Sequence, residues 1–120
     1  MKNILAILTV VALFLVSTTV FAGEGPMNLP KGAKAEAVKH NTEGIASWNK
    51  KDYKGALMHF NTASKIDGSS GEVHFNEAIS YDKLNQHPTA TTHFGVAHKQ
   101  AGGNKKLLNS PILKGHLGMK

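Results

Sequence analysis

A chain of 120 residues with a formal net charge of +6 and no cysteine excludes disulfide frameworks, thiol catalysis, cysteine-based zinc sites, lipoprotein acylation and covalent c-type haem. Every basic residue is lysine, so arginine's planar bidentate fork for phosphates and bases is missing and nucleic-acid recognition is not expected. All eight acidic residues lie between Glu24 and Asp82, and from Lys83 onward the chain carries six lysines, four histidines and no acid. Such a basic end is either plainly solvated or suited to an acidic partner or an anionic surface.

Residues 1–22 differ in kind from the rest. Lys2 precedes the unbroken apolar run Ile4 to Val16, and small residues Val20 and Ala22 flank Phe21 just before Gly23. Positive start, short apolar core and small-residue cleavage site are the three parts of a secretory signal peptide. An exported protein, periplasmic or at the cell surface, is therefore expected. An uncleaved membrane anchor is the alternative, since Ile4 to Ala22 is almost long enough to span. Residues 23–34 ("GEGPMNLPKGAK") are rich in glycine and proline without periodicity and read as a flexible leader.

From Ala35 the pattern turns helical. A first helix is expected from Ala35 to about Lys50 and a second from Tyr53 to Ile66, stopped by "DGSSG" at Asp67 to Gly71. A third fits Glu72 to about Leu84. The fourth opens after "NQHP", with Pro88 in its first turn, and runs to about Gln100. No segment alternates strictly between apolar and polar residues, so strands are not expected. In residues 105–120, Leu107, Leu108, Ile112, Leu113 and Leu117 keep roughly helical spacing around Pro111. That predicts a broken capping helix, its second piece started by Ser110, with a loose tail.

The four helices are one unit written twice. Laid over residues 71–104 without a gap, residues 37–70 give nine identical pairs, 34 positions apart. They are His40/His74, Glu43/Glu77, Ile45/Ile79, Ala56/Ala90, His59/His93, Phe60/Phe94, Ala63/Ala97, Lys65/Lys99 and Gly68/Gly102. A gap-free helix–turn–helix repeat of this length, with Ala-x3-Phe-x2-Ala in each second helix, resembles the tetratricopeptide repeat. Gly44 and Ala78 occupy its small position in the first helix, and Tyr81 its aromatic one. His40 and His74 stand where the family has tryptophan, Glu43 and Glu77 where it has leucine, Ser47 where it has tyrosine, and Gly68 and Gly102 where proline closes the unit.

The resemblance implies an all-α fold: two repeats (residues 37–70 and 71–104, within 35–104) forming a right-handed α–α superhelix, plus the C-terminal cap. It also implies that the first helix of each unit lines a concave groove. On those helices Val38, Asn41, Ile45 and Trp48 form one stripe, and Glu72, Phe75, Ile79 and Asp82 a second, with Lys83 beside it. An apolar centre with polar edges suits an extended peptide or a partner helix. The bland alternative makes Phe75, Ile45 and Ile79 ordinary core between the units. Two units alone are fewer than such arrays usually need, so capping by residues 105–120, self-association or a larger partner has to complete them.

The expected role is protein–protein interaction, as an adaptor or assembly subunit. A self-associating structural subunit is the alternative, and a histidine-rich metal-binding protein a lesser one. The seven histidines show no His-x3-His or HExxH spacing. The pairs His40/His74 and His59/His93 lie one repeat apart, roughly 10 Å if neighbouring units pack as helices do. No metal site, no cofactor and no catalytic residue is assigned; without a phosphate loop, a GxSxG elbow or a recognisable carboxylate pair, an enzyme is not expected.

Overall fold

The computed structural model describes residues 23–120, and residues 1–22, where a signal peptide or anchor is expected, lie outside the described residues. Six helices make up the described chain, with no strand among the described residues: α1 (Ala35–Asn49), α2 (Tyr53–Ile66), α3 (Gly71–Lys83), α4 (His87–Lys99), α5 (Lys105–Leu108) and α6 (Pro111–Leu117). The all-helical expectation holds.

Contacts across the first hairpin fix its direction. Trp48 packs on Tyr53, Gly44 on Phe60, and Ala37 shares a buried cluster with Ala63. One number rises as the other falls from the turn to the far end, roughly, so α1 and α2 run antiparallel. Gly44 is there for space: a Cβ would sit 2.5 Å from the Phe60 ring, well inside van der Waals contact. In the second hairpin Ala78 occupies the equivalent place, and Phe94 meets Phe75 edge-on at 5.7 Å between ring centres. Ala56, Phe60 and Ala63, and their counterparts Ala90, Phe94 and Ala97, are all 0 % exposed. Large rings between small residues fill the space between short helices without voids.

The turns inside the two hairpins are also copies. Asp52 N–H donates to the Ser47 carbonyl at 2.9 Å and Lys51 N–H to Trp48 at 2.8 Å; Gln86 donates to Tyr81 at 2.9 Å and Asn85 to Asp82 at 3.0 Å. These are the paired hydrogen bonds of a Schellman ending, and Lys51 (φ 64°) and Asn85 (φ 62°) both take the left-handed conformation it demands.

Between the hairpins, α2 packs against α3. Asp67 secures the start of α1, accepting hydrogen bonds from the Lys34 and Ser69 N–H groups and the Ser69 hydroxyl. The Ser69 hydroxyl and then these backbone donors hold the Asp67 carboxyl down at about 2.

The C-terminal segment covers the open side of the second hairpin. Leu107 and Leu113 are fully buried among Phe75, Ala78, Ile79 and Phe94, with Leu108, Ile112 and Leu117 packed against them. Ser110 breaks and restarts the helix: its hydroxyl oxygen accepts from Leu113 N–H at 3.2 Å, and Pro111 follows at the first helical position.

Residues 23–34 depart from the flexible leader expected of them. Met27 is 8 % exposed and belongs to the same core cluster as Phe75 and Ile79, so this segment is docked on the helices rather than free of them.

Candidate functional site

The docked leader crosses the surface formed by α1 and α3. At its centre the Met27 peptide groups are read by two asparagines. Met27 N–H donates to Asn76 Oδ1 at 2.8 Å, and the Met27 carbonyl accepts from Asn76 Nδ2 at 2.8 Å and from Asn41 Nδ2 at 3.0 Å. Asn76 Nδ2 also reaches Asn41 Oδ1 at 2.8 Å, which ties α1 to α3 directly. Both asparagines are buried, so their amides must be satisfied inside the protein, and the leader backbone satisfies them.

On either side the leader is held by other elements. Asn104 Nδ2 donates to Glu72 Oε2 at 2.8 Å and approaches the Met27 sulfur at 3.9 Å. Glu24 accepts from the Ile112 N–H at 2.9 Å. Residues Gly23 to Pro26 border a cleft shared with Ile45, Trp48, Tyr53 and Lys83. There the Trp48 and Tyr53 rings meet edge-on, 4.8 Å between centres, with Lys83 Nζ 6.0 Å and 5.5 Å from them.

The stripes expected to line a groove therefore divide. Phe75 (0 %) and Ile79 (1 % exposed) are core, which corrects their assignment as partner-binding residues: α3 is covered by α4, the cap and Met27 and has no free apolar face. Glu72 is buried and engaged by Asn104, and Asn41 is occupied by the leader. Asp82 points toward the C-terminal cap, where His116 and His87 approach its Oδ1 at 2.8 Å and 2.6 Å. Val38 is 40 % exposed and stands apart. Ile45, Trp48 and Lys83 stay together beside the leader and are accessible.

Sequence reasoning missed a second arrangement. Across the first hairpin His59 Nδ1 and His40 Nδ1 lie 3.2 Å and 3.8 Å from Glu43 Oε2; across the second, His74 Nδ1 and His93 Nδ1 lie 3.0 Å and 3.6 Å from Glu77 Oε1. The two imidazole pairs have the same centre-to-centre separation, 6.3 Å. Comparing histidines one repeat apart looked along the stack, whereas the hairpin brings residue 40 opposite 59 and 74 opposite 93. The available signal was that three of the nine repeated identities are histidine or glutamate and share one spacing, His-x2-Glu-x15-His.

The same constellation sits in two environments. Glu43's side chain is 41 % exposed and Glu77's only 5 %. Burial pushes the Glu77 carboxyl upward, but the hydrogen bond from His74 and the imidazole of His93 outweigh it and leave the group below its ordinary value. The bond to Glu77 raises the His74 imidazole against the opposing effect of burial, and the Gly68 carbonyl adds to the rise.

No helix among the described residues is long and apolar enough to cross a membrane. Compared with known proteins, the chain matches no protein-family model, no curated protein and no solved structure.

Proposed function

We propose that this is an exported interaction module of two tetratricopeptide-like repeats, holding an extended segment of a partner protein across α1 and α3. One observation carries the reading: the surface already holds a segment that is neither helix nor strand. Residues around Met27 lie on it with both hydrogen-bonding groups of one residue's backbone engaged by Asn76 and an apolar side chain sunk into the core. Backbone hydrogen bonds give affinity without demanding a sequence, and a side-chain pocket adds selectivity. A partner segment with a methionine-like side chain, taking the leader's place, is the occupant this surface fits. The Trp48–Tyr53–Lys83 corner would receive its continuation.

A swapped arrangement, in which the leader of one copy occupies another copy's surface, is the second reading. The same observation favours it, because the leader's complementarity to this surface does not depend on which copy supplies it.

Photo-crosslinking from position 38, on the exposed flank of α1, in the native cell envelope tests the proposal. Met27→Asp should loosen the leader and increase the yield of one discrete adduct, and Trp48→Ala should decrease it. Adducts indifferent to both changes would overturn the reading. Dimers of the pure protein that disappear with Met27→Asp would favour the swap.

A further inference from the structure

We propose that the repeated triads His40–Glu43–His59 and His74–Glu77–His93 are two binding sites for a divalent first-row transition ion of the zinc, copper and nickel group. This inference is independent of the groove reading, because none of the six side chains takes part in the hydrogen bonds that hold Glu24 and Met27 or in the Trp48–Tyr53–Lys83 contacts.

Geometry is the first argument. Nitrogen and oxygen donors lie about 2.0–2.2 Å from such an ion, which at tetrahedral angles separates them by about 3.4 Å. The four imidazole–carboxylate separations, 3.2 and 3.8 Å in one triad and 3.0 and 3.6 Å in the other, straddle that figure. Within each triad three donor atoms, one per side chain, all lie within 4.8 Å of one another. Two imidazoles and a carboxylate suit this class of ion better than calcium or magnesium, which prefer all-oxygen sites.

Unsatisfied atoms are the second. Among the described residues, His40 Nδ1 and His93 Nδ1 are buried without a hydrogen-bond partner, and each turns toward its triad's carboxylate. A buried orphan nitrogen calls for an explanation, and an ion supplies one. One such atom in each triad, on opposite helices, makes coincidence a poor account.

The tautomer of His74 is the third. Its Nε2–H donates to the Gly68 carbonyl at 2.9 Å, so in the neutral ring Nδ1 carries a lone pair. That lone pair faces the Glu77 carboxylate at 3.0 Å. Two acceptors in contact need a cation between them, either a proton or a metal. A backbone carbonyl holding the far ring nitrogen is the support that metal-ligating histidines usually have. Three protein donors also leave a coordination position open, so the ion is exchangeable rather than sealed in.

The third cluster, Asp82–His87–His116, is not assigned. Its two imidazoles meet the same Asp82 oxygen at 2.6 and 2.8 Å, which is hydrogen-bond spacing, tighter than donors around an ion.

Equilibrium dialysis of the chain from Gly23 onward against Zn2+, Cu2+ or Ni2+ alone at neutral pH tests the assignment. Micromolar or tighter uptake is expected. His59→Ala should remove one bound ion per chain, His93→Ala another, and Glu43→Gln should weaken the first site about tenfold or more, while His98→Ala changes nothing. If His93→Ala does not fold, ring 15N signals of the unaltered protein decide: zinc should move those of His40, His59, His74 and His93 and leave His98 in place. No uptake at tenfold ion excess, uptake indifferent to the triad variants, or an ion lost only with His87→Ala or His116→Ala would each overturn the proposal.

Discussion

The two hairpins share a template, yet α1 buries three residues and α3 buries nine. Neighbours account for the difference. Helix α1 has α2 on one side and the leader on another, whereas α3 lies between α2 and α4 and is further covered by Met27 and the C-terminal cap. In a stacked array, position decides what a repeated residue experiences. Glu43 and Glu77 hold the same partners at similar distances, but one works beside water and the other in a low-dielectric interior, where charge–charge and hydrogen-bond effects are several-fold stronger.

The largest expected effect follows from that contrast. Glu77→Ala leaves two histidines facing a buried void and should cost about 3 kcal/mol, in the range for breaking a buried pair. Glu43→Ala, at a half-exposed site, should cost under about 1 kcal/mol. Urea unfolding of both variants, with a chelator present, checks the ratio; equal losses would mean that burial does not separate the two sites.

Acidity probes the same pair without mutation. His74, whose value is raised by folding, contributes stability that is complete below its ordinary 6.5 and fades as pH rises through the folded value. Glu77, whose value is lowered, contributes stability that is complete above its ordinary 4.5 and is lost as pH falls through the folded value. Metal-free protein should therefore gain most from this pair between pH 4.5 and 6.5. In Glu77→Ala that component of the pH profile should flatten; a profile unchanged from the parent's would show that the pair is not its source.

Packing supplies the next comparison. Gly44→Ala drives a Cβ against the Phe60 ring and should cost about 1–3 kcal/mol, overriding alanine's better helix propensity of about 1 kcal/mol. Ala78→Gly should cost about 1 kcal/mol from propensity and about 0.8 kcal/mol more from the buried methyl it removes. Thermal melts of the two reciprocal changes separate crowding from propensity. If Gly44→Ala stabilised the protein, α1 would have freedom to move away from α2.

How much of this was legible depends on what carries the signal. Phe60, Phe94 and the flanking alanines announced the hairpins because packing residues must return wherever the packing does. Leu107 and Leu113 announced the cap through helical spacing. Met27 announced nothing: the leader is anchored by the Met27 and Glu24 side chains and by backbone groups, which leave no periodicity in a glycine- and proline-rich segment. Asn41 and Asn76 were equally silent, since an asparagine pointing at a backbone looks like any polar residue on a helix. The triads lay in view as repeated identities, but seeing them as sites required folding each hairpin before comparing its histidines.

The smallest expected effect concerns the inner turns, where the template is the same and the residue differs. Both hairpins close with a left-handed residue, lysine at 51 and asparagine at 85. A side chain with a Cβ resists this conformation by about 1–2 kcal/mol, and asparagine resists less because its short amide bonds locally to the backbone. Lys51 is 64° in φ with its N–H already bound to Trp48, so the turn is enforced by the hydrogen bonds and the residue bears the strain. Lys51→Asn should then stabilise by about 0.5 kcal/mol and Lys51→Gly by a similar amount, glycine's freedom in the unfolded chain offsetting part of its gain. Asn85→Lys should lose at least what Lys51→Asn gains. Because α3 is the more deeply held helix, local opening of the turn relieves less strain there, and the loss at 85 should be the larger of the two. Hydrogen exchange at the Asp52 and Gln86 amides, the two long-range bonds of the turns, reads each site separately. Slower exchange at 52 in Lys51→Asn, with 86 unchanged, is the expected pattern; equal shifts at both would mean that the hairpins open together and that the second gains no extra hold from its place in the stack.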